Sequence, residues 1–257
     1  MSAEWSSPQL RQRSRYEPKG PIERWMVPVL GAAIDAALAK YAKPTETARR
    51  CLDVGCGSQP FRKQLEALGF QYTGFDANQN FESTVEVIGT IDASLPPSLE
   101  RGTFQFILCT EVLEHVPRWQ EAFRNLADLL APGGRLLVTT PHIWIPHEEP
   151  ADFFRPTSLG IEYHGRAAGL RPIEVVRLGD GQDVLGTLLS AVKVKPAGGH
   201  WWNRPVSVVP KILIAALLGL IKRSGLRERV AFRTSFYLST LAVFEKPSAA
   251  ESLTSEH

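Results

Sequence analysis

The stretch Cys51-Leu52-Asp53-Val54-Gly55-Cys56-Gly57-Ser58-Gln59-Pro60-Phe61 constrains the fold of this 257-residue chain more than any other. Its first half is an apolar run of the kind that forms a buried strand, and its second half is a glycine turn. A helix is predicted beyond it through Leu65 and Leu68, ending at Gly69. Gly55 and Gly57 can take backbone angles closed to other residues and let a ligand approach the main chain. The helix start directs free N–H groups into the same space. Asp53 stands at the C-terminal end of the strand, where open α/β sheets bind their ligands. This is a nucleotide-type pocket, set against the plainer reading of an ordinary strand-turn-helix.

Two ligand classes suit such a turn. A dinucleotide places its pyrophosphate on the helix N-terminus and asks for a third glycine, with no carboxylate in the turn. Here the third glycine position falls on Pro60, and Asp53 would repel a pyrophosphate. S-Adenosylmethionine carries a sulfonium and an amino group, which a carboxylate attracts. Asp53-Val54-Gly55-Cys56-Gly57-Ser58 resembles motif I of the class I methyltransferases. The resemblance implies that Asp53, Gly55, Cys56 and Gly57 line a pocket for S-adenosylmethionine.

The next segments continue the pattern. Gln71 to Asp76 is a short β-rich run ending in an acid about 20 residues after the glycines, a position suited to a ribose hydroxyl pair. That placement supports a ribose-bearing ligand without choosing between a nicotinamide and an adenosine. Val85 to Asp92 alternates like a third strand. Asp92 and Ala93 match the position from which this family commonly holds the adenine amino group. Phe104 to Thr110 is apolar enough for a sheet centre. It leads into Glu111-Val112-Leu113-Glu114-His115-Val116-Pro117, which strongly resembles the family's segment after strand four. The resemblance makes Glu111 and His115 cofactor-side residues. For His115 it favours shaping the cofactor wall or the loop over catalysis, and it puts Glu114 among the loop-ordering acids. A helical stripe runs from Trp119 to Leu130 and stops at Pro132-Gly133-Gly134, with the fifth strand expected over Arg135 to Pro141.

The loop after that strand, Pro141 to Thr157, holds two histidines, three acids, an arginine and several aromatics. It is too polar for a core, and loops at strand C-termini are where α/β enzymes place function. It resembles a His-Glu-x-Pro-x-Asp stretch of bacterial small-molecule and glycan-pathway methyltransferases. A helix from Thr157 to Leu170 follows, an element that in such enzymes often closes over the substrate. Methyl transfer to oxygen is an in-line displacement in which positioning supplies much of the acceleration and a base removes the hydroxyl proton. His147 or His142 is the expected base, since neutral imidazole is abundant near pH 7. Asp152 would orient the imidazole, and Arg155 would hold an anionic substrate group or an internal acid. The plainer alternative is that these side chains only staple the loop. A metal held by His142, His147 and Glu148 matches no trusted spacing, so no metal is expected.

Composition narrows the rest. Hydrophobic residues at 44% and charged residues at 22% suit a globular chain with a real core, and a net charge of +2 makes no case for nucleic acid. Cys51, Cys56 and Cys109 have neither metal-ligand spacing nor an even disulfide set, and the start lacks a signal pattern. A reduced, cytoplasmic protein is expected. The N-terminal region, 1–45, reads as a polar arm and then a helix from Pro21 to Tyr41 packed on the sheet edge. The core is 46–180, followed by a helical insertion over 181–235, the final strand over 236–247 and a disordered tail over 248–257.

The insertion contains Trp201-Trp202, an apolar run from Val208 to Ile221, and then Lys222, Arg223, Arg227, Arg229 and Arg233. A buried or dimer-forming helix, a substrate lid, and an interfacial helix on an anionic membrane all fit 201–233. The last would make the acceptor lipid-linked. The fold implied is a doubly wound, seven-stranded, mostly parallel α/β sheet of order 3-2-1-4-5-7-6 with the last strand antiparallel. The activity implied is methyl transfer from S-adenosylmethionine to a small-molecule, glycan or lipid-linked acceptor. A nicotinamide-dependent oxidoreductase and a non-catalytic S-adenosylmethionine-binding subunit stay open as alternatives.

Overall fold

The computed structural model describes residues 17–42, 49–193, 204–221 and 235–248. The N-terminal arm before residue 17, the Trp201-Trp202 pair, the basic run 222–233 and most of the expected tail lie outside the described residues. The chain folds as α1 (Glu23–Tyr41), β1 (Arg49–Val54), α2 (Arg62–Ala67), β2 (Phe70–Asp76), β3 (Val87–Ile88), β4 (Phe104–Thr110) and α3 (Trp119–Leu129). There follow β5 (Leu130–Pro141), α4 (Ser158–Ala167), β6 (Arg171–Leu178), α5 (Gly181–Ala191), α6 (Arg204–Ile221) and β7 (Ser239–Glu245). Seven strands form one sheet in the order β3-β2-β1-β4-β5-β7-β6. β7 runs antiparallel to both β5 and β6, and the other pairings are parallel. This is the expected α/β architecture.

Strand alternation divides the core into two layers. Leu52, Val54, Ile107, Cys109, Leu136, Val138, Ala242 and Phe244 point to one face, under α3 and α4. Cys51, Phe106, Leu108, Leu137, Leu241 and Val243 point to the other, under α1. Because the central strands are buried on both faces, they read as continuous apolar runs. Leu30, Ile34 and Leu38 of α1 are almost wholly buried, each contributing roughly 1.5–3 kcal/mol of hydrophobic stabilisation. α1 therefore covers a sheet face rather than an edge. It is pinned to α5, where Trp25 lies against Gly186 and donates its indole N–H to Ser190 at 2.9 Å.

Four other expectations need correction. The third strand pairs only over Val87–Ile88: the Gly89 amide makes the last bond to β2, at the Asp76 carbonyl, and a turn then closes between Thr90 and Ala93. Asp92 thus sits in a turn beyond the strand. The fifth strand begins at Leu130, directly after α3. Pairing shifts from Phe104↔Leu130 to Phe106↔Arg135, so Pro132-Gly133-Gly134 forms an irregularity within the strand rather than a loop before it.

The helix after the substrate-side loop, α4, does not close over the strand tips. Ile161 is fully buried in the sheet layer and Gly165 lies against the Phe244 ring, where no side chain could fit. α6 is longer than expected and far from buried: Pro210, Ile214, Leu218 and Ile221 face the protein, while Ile212, Leu213, Leu217 and Leu220 are exposed. Among the described residues no helix is long and apolar enough to cross a membrane.

Candidate functional site

β1 delivers the glycine turn to the C-terminal edge of the sheet, as its sequence requires. Gly55 and Gly57 both have positive φ, +68° and +49°. At Gly55 space is also absent, since an added Cβ would lie 2.2 Å from a Val112 methyl. The turn's own amides are spoken for. Gly55 and Cys56 donate to the Phe75 carbonyl at 2.7 and 3.3 Å, Gly57 donates to Asp76 at 2.9 Å, and Gln59 donates to the Cys56 carbonyl at 2.7 Å. These turn amides are therefore consumed within the protein, and at the helix start the Arg62 amide donates to the Gln59 carbonyl at 3.2 Å. Cys56 turns its thiol inward toward the Gly74 position beside Gln59, so only its backbone faces the turn.

Asp53 is buried beneath the turn and accepts a hydrogen bond from the Tyr72 hydroxyl at 2.6 Å. Burial pushes its carboxyl up to about 7, and the Tyr72 bond only partly opposes this. Asp76 accepts from the Gly57 and Asn78 amides, one on each oxygen, and burial raises it despite those bonds. A carboxylate has about four acceptor positions, so Asp76 keeps capacity for a hydroxyl pair. Asp92 is buried and held by Arg118 Nε at 3.2 Å, while Asn125 takes the Ile91 and Ala93 carbonyls. Glu111 is in the left-handed region at φ 54° and accepts from Ser239 Oγ at 3.3 Å.

The loop after β5 folds back onto the segment after β4. Phe153 and Phe154 amides both donate to the Glu114 carbonyl. His115 Nδ1 gives its proton to the Ala151 carbonyl at 2.6 Å, which leaves Nε2 as the acceptor nitrogen. That Nε2 lies 3.7 Å from Glu114 and 3.7 Å from Glu148. His147 Nε2 is 3.9 Å from Glu114, and the two imidazoles meet edge to face at 4.7 Å. Burial first, and then His115 and Arg155, push His147 down to about 4, so its ring is neutral at pH 7.

Asp152 accepts from the His147 backbone amide at 2.8 Å and lies 3.6 Å from the imidazole. Burial would raise the Asp152 carboxyl, but its Arg155 and His147 bonds hold it below the usual range. Arg155 forks onto Asp152 at 2.5 and 2.6 Å and also donates to the Ile145 carbonyl. Its charge is thus paired with an internal acid, one of the two roles considered for it. His142 stands apart, stacked on Tyr237 with ring centroids 4.3 Å apart and donating Nδ1–H to the Pro156 carbonyl.

A family model for a methyltransferase domain matches residues 27–163, more than half of the chain. The chain belongs to this methyltransferase-domain family. The matched span includes the glycine turn, the Glu111–Pro117 segment and the loop that folds over it. A ubiquinone biosynthesis O-methyltransferase of Xanthomonas campestris pv. campestris is 33% identical over 117 residues, 42% of this chain and 48% of that protein. The chain therefore spans about half the length of the curated relatives it matches. A SAM dependent methyltransferase of Archaeoglobus fulgidus superposes with TM-score 0.52 at 15% identity, covering 84% of this chain and 94% of that one. A phosphoethanolamine N-methyltransferase 2 of Haemonchus contortus, in complex with S-adenosyl-L-methionine, gives TM-score 0.50 at 16% identity over 84% and 53% of the two chains. At these identities the two structures show the shared fold.

The methyltransferase domain also uses residues that local pattern did not single out. Tyr72 and Asn80 clamp the turn, Asn80 donating to the Gly57 carbonyl at 2.9 Å, and Arg118 and Asn125 order the Asp92 corner. Tyr72 carried one legible signal, since it precedes Asp76 on the strand paired with β1.

Proposed function

We propose that this domain transfers the methyl group of S-adenosylmethionine to an oxygen of a small-molecule acceptor. The carrying observation is the fate of the turn amides. Gly55, Cys56 and Gly57 donate to Phe75 and Asp76, so they do not offer a pyrophosphate the N–H cradle it needs. The acids at the ends of β1 and β2, Asp53 and Asp76, with Asp92 in the turn beyond β3, suit a ligand bearing hydroxyl, amino and sulfonium groups. The O-methyltransferase relative from Xanthomonas supports oxygen as the acceptor atom.

S-Adenosylmethionine, when bound, supplies an electrophilic methyl group and departs as the thioether S-adenosylhomocysteine. Asp76 would hold the ribose hydroxyls, and the Asp92 corner the adenine end. The loop anchored on Glu114 would wall the acceptor from water. His142 would take the acceptor's hydroxyl proton at Nε2, because its Nδ1–H is committed to Pro156. In balance, the acceptor oxygen gains the methyl group and His142 gains the proton.

The test is incubation of purified protein with methyl-labelled S-adenosylmethionine and fractionated extract. Release of S-adenosylhomocysteine with label in a base-stable ether is expected. Stabilisation by a nicotinamide dinucleotide, with none by S-adenosylmethionine, would overturn the reading in favour of an oxidoreductase. Binding without turnover on any acceptor pool would favour a non-catalytic subunit.

A second surface bears on the acceptor. α6 exposes Val208, Val209, Ile212, Leu213, Leu217 and Leu220. In the sequence Trp201-Trp202 precede this helix and Lys222, Arg223, Arg227, Arg229 and Arg233 follow it. An apolar face flanked by tryptophans and cations matches the surface of an anionic bilayer, which would bring a lipid-linked acceptor to the domain. Co-flotation with vesicles containing acidic lipid, abolished by Ile212→Glu with Leu213→Glu, is expected. A concentration-dependent dimer with no flotation would assign the helix to self-association instead.

A further inference from the structure

We propose that Glu114, His115 and His147 form a binding site for a divalent transition-metal cation, with Glu148 at its rim. One ligand atom from each of the first three lies within 4.8 Å of the others. Glu114 is fully buried, and neither of its carboxylate oxygens accepts a hydrogen bond from a described residue. A buried carboxyl group left without hydrogen-bond donors is costly, and here a cation would remove that cost.

The imidazoles point the same way. With Nδ1–H given to Ala151, His115 aims a lone pair at Glu114 and Glu148, both 3.7 Å away. Neither carboxylate comes within hydrogen-bond distance of it, so three polar groups converge with no hydrogen bond among them. His147 adds a third direction, its Nε2 3.9 Å from Glu114. On its other side His147 Nδ1 lies 3.3 Å from both the Ile145 carbonyl and Arg155 Nη2 and 3.6 Å from Asp152; the tautomer that gives Nδ1–H to Ile145 leaves Nε2 free to ligate, with the outer support that metal-bound imidazoles commonly have. Ligands around a cation at about 2.1 Å stand about 3–4 Å apart, so closure needs only small side-chain movements.

Two imidazole nitrogens and a carboxylate suit Mn²⁺, Fe²⁺, Co²⁺ or Zn²⁺ better than the all-oxygen preference of Ca²⁺. Three protein ligands leave coordination positions open. These would take one or two oxygens of the acceptor, lowering the hydroxyl proton's affinity and setting the oxygen toward the methyl group. This last role rests on the proposed O-methylation; the binding site itself does not. Sequence spacing pointed away from a metal because the ligands come from two segments that only loop closure joins.

The experiment titrates chelator-treated, full-length protein with Mn²⁺, reading free Mn²⁺ by electron paramagnetic resonance. One equivalent bound is expected, with affinity weakened at least tenfold in His147→Ala and in Glu114→Gln. Circular dichroism and S-adenosylmethionine binding report whether each variant is folded. Co²⁺ substitution gives a second readout on the unaltered protein, as visible d–d bands. Mn²⁺ that stays free, with no Co²⁺ bands, overturns the proposal, and so does unchanged binding in both folded variants. Unaltered protein that binds Mn²⁺ but not S-adenosylmethionine would sink the methyl-transfer reading alone.

Discussion

The hydroxyl of Tyr72 donates to Asp53 at 2.6 Å, joining β2 to β1 directly beneath the glycine turn. The pair explains how an acid survives in the core: it has a donor, but not enough to hold its carboxyl at the usual value. Folded, Asp53 titrates near 7, against a reference of 3.8. Between these values the folded state binds a proton that the unfolded state has released. Its contribution is fully present below about pH 4 and is lost as pH rises toward 7, about 4 kcal/mol in all. Asp53→Asn should therefore flatten the fall in melting temperature between pH 4 and pH 7. Parallel melting curves for the two proteins across that range would show that Asp53 does not titrate there.

The two turn glycines should fail differently. Gly55→Ala meets Val112 and a positive φ together, so it should lower stability by several kcal/mol. Gly57→Ala has open space and only the left-handed penalty, roughly 1–2 kcal/mol. On the proposed cofactor reading, its methyl group would enter the space left for the ligand. Thermal denaturation with and without S-adenosylmethionine should show Gly57→Ala folded but bound at least tenfold more weakly. Equal affinity for Gly57→Ala and wild type would remove the turn from the cofactor site.

For the base, His142→Gln should lower kcat by about 10²–10⁴ while cofactor affinity is unchanged. His147→Ala should also slow turnover, but through the metal, so added Mn²⁺ at high concentration should partly rescue it. A steady-state comparison with graded Mn²⁺ separates the two. If His142→Gln turns over normally, another group takes the proton.

The N-terminal helix is part of the core. Gly186→Val would drive a side chain into the Trp25 indole, where a Cβ alone comes within 2.4 Å. A loss of about 1–3 kcal/mol is expected, read as a lower denaturant midpoint with cofactor affinity retained in the folded fraction. An unchanged midpoint would mean that α1 is not docked on α5.

What the sequence determined by itself was the local and the periodic. The Asp53–Gly57 turn, the apolar strands and the α1 stripe are legible because strand burial and glycine angles are properties of neighbouring residues. Tertiary structure alone decided the rest. Val208 to Ile221 is apolar on most sides, and composition cannot say which of those residues meet the core and which meet solvent. Tyr72 and Asp53 meet across paired strands. Glu114, His115 and His147 meet only because the loop after β5 returns to the segment after β4. A pairing across that distance depends on strand order and loop closure, and no window of the chain contains both halves.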